Sequence, residues 1–391
     1  MLSKTIIFKK ALLIITLLVL FLPLFQSSFN FVKLYKLAGD DVVCTDTSFT
    51  KSTYFSGIWQ QKMSGHLSHH FGFRSLLIKI NNQILFSLFN RVNANGVVAG
   101  KDGYLFETTY IRSFCGDDFM GEDSINLNLD RLKLISEQFG QLNKQLIVVI
   151  APGKPAFYKE YLPRDVKCKG SQTNYAYIAE AIKTRNINCI DFSKWFMEHK
   201  ADSKYPLYPK HGNHWSTYGS WLAADSIIKY IEFKKNCYLP NLSIKSIHMD
   251  QPKNEDKDIE YGINLLFKLK SFDLAYPEIE VTDTIGKIKP KLLVIGDSFY
   301  WNLYRSDFVN CFDQPTFLYY NKVPYPEGKE KVLDHDHVIN KQLDRSEVIM
   351  ILATESNIKS MGWGFLEDAE NYLKKWLINH PIIDQPDFTH K

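Results

Sequence analysis

The chain is 391 residues long, and its 45% hydrophobic and 23% charged residues are ordinary globular values that exclude a disordered chain or a coiled coil. Its 47 basic and 43 acidic residues leave a net charge of +4 with no dense basic stripe, which excludes nucleic-acid binding as a leading function. The 27 Phe, 21 Tyr and 7 Trp suit a large core or a sugar-stacking surface alike.

Lys4, Lys9 and Lys10 precede an unbroken apolar or neutral run from Ala11 to Phe25. At about 1.5 Å per residue that run reaches only about 22 Å, short of a hydrocarbon core of roughly 30 Å. Counted from Ile6, with Lys9 and Lys10 snorkelling to the interface, the segment just spans. The following Gln-Ser-Ser-Phe-Asn lacks an A-x-A cleavage site, which favours an uncleaved signal-anchor over a removed signal peptide. In both cases the lysines stay cytoplasmic and everything beyond residue 30 is exported. No other stretch is long and apolar enough to span.

Residues 1–30 are therefore read as the anchor, 31–95 as an irregular lead-in, and 96–391 as an α/β domain. The lead-in carries one amphipathic helix through Leu76, Leu77, Ile80, Ile84, Leu85 and Leu88. Val97–Phe106 reads as a hairpin around Lys101-Asp-Gly103. A helix through Leu129, Leu132, Ile135, Phe139 and Leu142 leads to the buried strand Leu146–Ile150. A second helix near 175–184 leads to a short strand ending at Asp191, and a third spans about 217–233. Residues 237–290 are less regular and include the charged loop Lys253–Asp258. Strands at 291–295 and 347–352 and a closing helix through Phe365, Ala369 and Trp376 complete the pattern. Strands apolar on both faces, alternating with helices, predict a mostly parallel sheet covered on both sides.

None of the six cysteines forms a CxxC pair or lies near His at ligand spacing, so neither a metal nor a cofactor is expected. Cys115 and Cys168, both in polar loops, are the expected disulfide pair in an oxidising compartment; Cys189 is expected to be a buried free thiol.

Two short blocks bear chemistry. Gly296-Asp297-Ser298-Phe299 follows a strand, where the sheet's C-terminal edge collects reacting groups and the Ser298 N–H can face an oxyanion. The alternative is a plain turn. His211-Gly-Asn213-His214-Trp215-Ser216 precedes the third helix, whose dipole should hold His214 neutral as a general base. The alternative is that Ser216 or Thr217 caps the helix while His214 packs on Trp215. Asp297, Trp215 and Asn213 are candidate site-lining residues.

Together with Phe71-Gly-Phe-Arg74, the Gly100–Phe106 hairpin and Ala151-Pro-Gly-Lys154, these blocks resemble the exported SGNH-hydrolase-like proteins of the alginate O-acetyltransferase (AlgJ/AlgX) type over about residues 71–357. The resemblance implies a three-layer SGNH-hydrolase-like α/β fold with permuted catalytic blocks, the His block preceding the Ser block, behind an N-terminal anchor. It implies transfer of acetyl groups to hydroxyls of a cell-surface or secreted polysaccharide through a Ser298 acyl-enzyme with His214 as base. The setting would be the periplasmic face of a bacterial inner membrane, beside a multispanning acyl-transporting partner. An esterase and a catalytically dead carbohydrate-binding or assembly relative are the alternatives, with a purely structural envelope protein behind them.

One departure motivates the dead relative. The family's block is Asp-x-His-Trp, and Gly212 stands where the Asp belongs. A Ser–His dyad is one outcome. The other is an acceptor from elsewhere, ranked as Asp191, a backbone carbonyl, then His211, although Asp191 is read first as a helix cap. Asn213 is expected to face away. If orientation limits His214, Gly212→Asp should raise the rate.

Overall fold

The short runs at 145–151, 291–296 and 348–354 have no polar face, and they form strands buried on both sides at the centre of the sheet. The computed structural model describes residues 2–39, 46–170, 172–326 and 334–379. The strands are β1 (Val97–Ala99), β2 (Leu105–Glu107), β3 (Gln145–Ala151), β4 (Cys189–Asp191), β5 (Asn241–Asp250), β6 (Leu274–Thr282), β7 (Lys291–Gly296), β8 (Asp313–Tyr319), β9 (Val323–Tyr325) and β10 (Val348–Thr354). Six of them make one sheet in the order β4-β3-β10-β7-β8-β9, parallel except for the edge strand β9.

Alternate residues of each strand divide between two cores, as the period of two requires. Ile147, Val149, Leu292, Val294, Val348 and Met350 face the helix Thr217–Lys235. Leu146, Val148, Leu293, Ile295, Ile349 and Ile351 face the helices Glu122–Gln141, Asn174–Thr184 and Phe365–Asn379. The covered parallel sheet expected from sequence is present, and the His block lies before the Ser block in the chain.

Three elements differ from expectation. Residues 237–290 hold a long antiparallel ribbon, β5 on β6, with a bulge between Ile244 and Ser246. β8 and β9 were not foreseen. The lead-in holds three helices, Lys51–Phe55, Ile58–His70 and Arg74–Phe89, where one was expected.

The chain divides into two compact units, Met1–Val97 with Glu260–Lys270, and Val98–Ile259 with Ser271–Lys391. In the first, the helix Leu2–Phe29 contains a 25-residue apolar span, Thr5–Phe29, whose large apolar side chains are exposed. Among the described residues it is the one helix long and apolar enough to cross a membrane. Asn82 is buried and donates to the Ile263 carbonyl at 3.0 Å, while Gln83 accepts from the Phe267 N–H at 3.1 Å, which is how 260–270 joins this unit.

In the second unit Cys115 and Cys168 are bridged across 53 residues of chain. Cys189, Cys237 and Cys311 are free thiols, and burial pushes Cys189, half-buried as a residue, up to about 12. Cys44 lies outside the described residues. Closing so long a loop restricts the unfolded chain, so Cys115→Ser should cost about 2–5 kcal/mol of stability. Denaturation of the detergent-solubilised chain under non-reducing conditions reads this, and an unchanged midpoint would contradict it.

Candidate active site

β7 ends at Gly296, and the chain turns through Asp297, Ser298 and Phe299 into the short helix Tyr300–Tyr304. Asp297 braces the turn from inside. It is fully buried and accepts from the Phe299 N–H (3.0 Å), the Thr354 N–H (2.8 Å) and the Asn357 amide (2.9 Å). Burial raises its pKa and these bonds oppose the rise. Ser298 is thereby left at the C-terminal edge of the sheet with its side chain in a cleft.

The His block is tied down beside it. The Ser216 N–H donates to the Leu207 carbonyl at 2.9 Å, and its hydroxyl caps the helix Thr217–Lys235 by accepting from the Gly219 N–H at 3.0 Å. Trp215 is fully buried, edge-on to Phe192 and Phe299. His214 packs on Phe299 and reaches the cleft. Its Nε2 lies 2.9 Å from Ser298 Oγ, and its Nδ1 lies 2.7 Å from Oδ2 of Asp258. Oδ1 of Asp258 accepts from the Asn213 N–H at 2.8 Å.

Asp258 comes from the charged loop that the sequence left without a role. The loop follows β5 as a 3-10 turn, Asn254–Lys257, and opens the helix Asp258–Gly262. It lies against the His block at Gly212. A Cβ built on Gly212 would stand 2.6 Å from the Glu255 carbonyl oxygen and 2.7 Å from the carbonyl carbon and oxygen of Asp256. Only glycine lets the two backbones meet so closely. Asp256 adds a bond from Thr217 Oγ1 (3.2 Å), and its own carboxyl is raised to about 6 by burial.

Asp191 and His211 therefore do not orient His214. Asp191 caps the helix Phe192–Glu198, accepting from the Lys194 N–H at 3.0 Å, and also receives the Tyr175 hydroxyl. His211 is buried in the loop, and the acceptor on His214 Nδ1 is Asp258. Asn213, a site-lining candidate from the sequence, lines the cleft and meets Asp258 through its backbone N–H; the other two candidates, Asp297 and Trp215, support the site from the core without lining it. The helix dipole does not decide the state of His214 either. Burial lowers its pKa, but the hydrogen bond and charge of Asp258, with Asp297 and Glu107 behind them, outweigh that and hold it above its ordinary 6.5.

The cleft measures about 430 Å³ and takes in Glu107, Tyr110, Arg112, Tyr320 and Asn357 around Ser298 and His214. Lys359 pairs with Asp118 at its rim (2.6 Å). Tyr320, in left-handed backbone at φ 50°, lines the cleft with Ser298. Glu107 is raised, first by burial and then by the charge of Asp258. Among the described residues no cluster of three or more His, Cys, Asp or Glu is placed to hold a metal ion.

Residues 97–242 match the family described as SGNH hydrolase-like domain, acetyltransferase AlgX. Over that segment the chain is similar to the SGNH-hydrolase-like domain of AlgX. His214 lies inside the matched segment, and Ser298 and Asp258 lie beyond it. A probable alginate O-acetylase AlgJ of Pseudomonas putida is 22% identical over 179 residues, 46% of this chain and 45% of that protein. The chain thus spans less than half the length of this relative. Similar solved structures are the O-acetyltransferase domain of Pseudomonas putida AlgJ (TM-score 0.46, 17% identity, 71% of this chain and 99% of that one) and Pseudomonas aeruginosa AlgX (0.45, 14%, 70% and 67%). Bacillus cereus PatB1 is a third (0.43, 12%, 67% and 96%).

The packing at Gly212 reverses the expectation drawn from the sequence for a substitution there. Gly212→Asp, and equally Gly212→Ala, should push residues 255–258 away and lower turnover by about a hundredfold, the usual scale for a 1 Å misplacement. A steady-state ester-cleavage assay reads this, and an increase for Gly212→Asp would show that the position still has room for an acid.

Proposed function

We propose that the protein is a membrane-anchored, extracytoplasmic O-acetyltransferase acting on hydroxyls of a cell-surface or secreted polysaccharide through a serine acyl-enzyme. The observation that carries this is the line Asp258–His214–Ser298 at the floor of a solvent-reaching cleft. Three features support the setting. The Thr5–Phe29 helix has the length and composition of an anchor. The Cys115–Cys168 bridge fits an oxidising compartment such as the periplasm. The domain type is that of acetyltransferases.

In this mechanism Ser298 Oγ attacks the acetyl carbonyl of a donor while His214 Nε2 takes its proton. The tetrahedral oxyanion is received by the Ser298 N–H, with the Tyr320 hydroxyl as second donor, and collapse expels the donor's leaving group with the proton from His214. A sugar hydroxyl then attacks the acetyl-serine, gives its proton to His214, and leaves as the ester while Ser298 regains a proton. Asp258 fixes the tautomer and stabilises the imidazolium in both halves. Asn213 and Arg112, polar groups that line the cleft, would meet the acceptor sugar. The donor would be loaded from a multispanning acyl-transporting partner.

Ser298→Ala and His214→Ala should each abolish acetyl transfer from a chromogenic ester to an acceptor glycan, and Asp258→Asn should cost about 10⁴-fold in turnover. Full activity in Ser298→Ala would overturn the assignment. A second outcome follows from protonation. His214 must be neutral to accept a proton, so the acid limb of kcat/KM should lie above the ordinary 6.5. In Asp258→Asn the imidazolium loses its partner, so the limb should move to lower pH as the plateau drops. A limb that moves up would contradict the pairing.

A further inference from the structure

Lys154 is a charged residue with no access to solvent. It opens the short helix Lys154–Phe157 just beyond β3, and its side chain is fully buried. Its Nζ donates to the carbonyls of Lys210 (2.8 Å) and Gly212 (2.6 Å) and lies 5.4 Å from the centre of the Phe106 ring. Burial pulls its pKa down to about 7, opposed by the charges of Asp258 and Glu107. A lysine in such a place is costly unless every donor has a use.

Of its two acceptors, the one that leads to the cleft is the peptide group joining Gly212 and Asn213. The Gly212 carbonyl accepts from Lys154, and the N–H of the same peptide, carried by Asn213, donates to Oδ1 of Asp258. The other oxygen of that carboxylate holds His214, which holds Ser298. One unbroken row of hydrogen bonds thus runs from a buried lysine through a backbone amide to the hydroxyl in the cleft. A donor on the carbonyl polarises the amide and strengthens what its N–H offers to the carboxylate.

We infer that Lys154 is a positioning residue: through the Gly212–Asn213 peptide it anchors Asp258, and hence His214, in the orientation that activates Ser298. It touches neither substrate nor the reacting atoms. The inference rests on reading Ser298, His214 and Asp258 as the reacting line. It also explains how an acid borrowed from another segment is held. The loop residue that has no side chain of its own is gripped on its carbonyl side by Lys154, while segment 255–258 packs against its Cα.

The test is Lys154→Met in the detergent-solubilised full chain. Side-chain length is kept and the donors are lost. The expected result is a kcat lowered about ten- to hundredfold at nearly unchanged KM, with Lys154→Arg, which keeps donors, recovering part of the loss. A folded Lys154→Met with wild-type kcat would overturn the proposal. So would a loss that appears only in KM. If the variant does not fold, the wild-type chain with ¹⁵Nζ-labelled lysine decides. The row predicts one exchange-protected lysine signal, assigned to Lys154, that shifts in Asp258→Asn. A signal indifferent to that substitution would overturn it. This second arm needs no activity, so a wild type that transfers no acetyl group would count against the proposed function and leave the Lys154 question still answerable.

Discussion

The site depends on a close approach of two backbones at Gly212. The carbonyls of residues 255 and 256 occupy the space a side chain would take, and that contact brings Asp258 within 2.7 Å of His214. An acid at 212 and an acid at 258 are therefore mutually exclusive solutions. With a side chain at 212 the loop after β5 cannot come in; with glycine there it comes in and delivers its own carboxylate. The absent Asp that seemed to mark a weakened or dead site is thus the condition for an acid supplied from 44 residues beyond His214.

The sheet supplies the rest of the geometry. β10 and β3 flank β7 on one side and β8 on the other, so the turn after β7 projects from the middle of a two-faced core. Asp297 locks that turn to the end of β10 through Thr354 and to Asn357 beyond it. Phe299 packs against both His214 and Trp215, which couples the Ser block to the His block through side-chain contact. The hydroxyl and the imidazole are held by packing as much as by their own hydrogen bond, which is the preorganisation the proposed role of Ser298 requires.

Much of this was legible because burial leaves a pattern. β3, β7 and β10 are covered on both faces and read as unbroken apolar runs, and the helix Glu122–Gln141 shows its inward stripe at Ile125, Leu129, Leu132 and Ile135. β8 was missed because Pro315 interrupts it and it starts on Asp313 and Gln314, while its pairing with β7 slips between Lys291 and Leu293. The β5–β6 ribbon does alternate, at Leu242 and Ile244, but the bulge before Ser246 breaks the period, and its exposed face is polar. Ser298 and His214 sit in local motifs and could be named from sequence. Asp258 has no local signature: it is one acid among several in a charged loop, and its partner is brought to it only by tertiary folding. The signal that was available was Gly212 itself, since a glycine two residues before His214 leaves room for another backbone to press close.

The most direct measurement is the rate at which an aryl sulfonyl fluoride modifies the protein, with the modified residue located by peptide mass spectrometry, in wild type and in Asp258→Ala. The account predicts modification of wild type at Ser298 and a rate at least about a hundredfold slower in Asp258→Ala. A wild type left unmodified at Ser298, or an Asp258→Ala variant modified as fast as wild type, would contradict it.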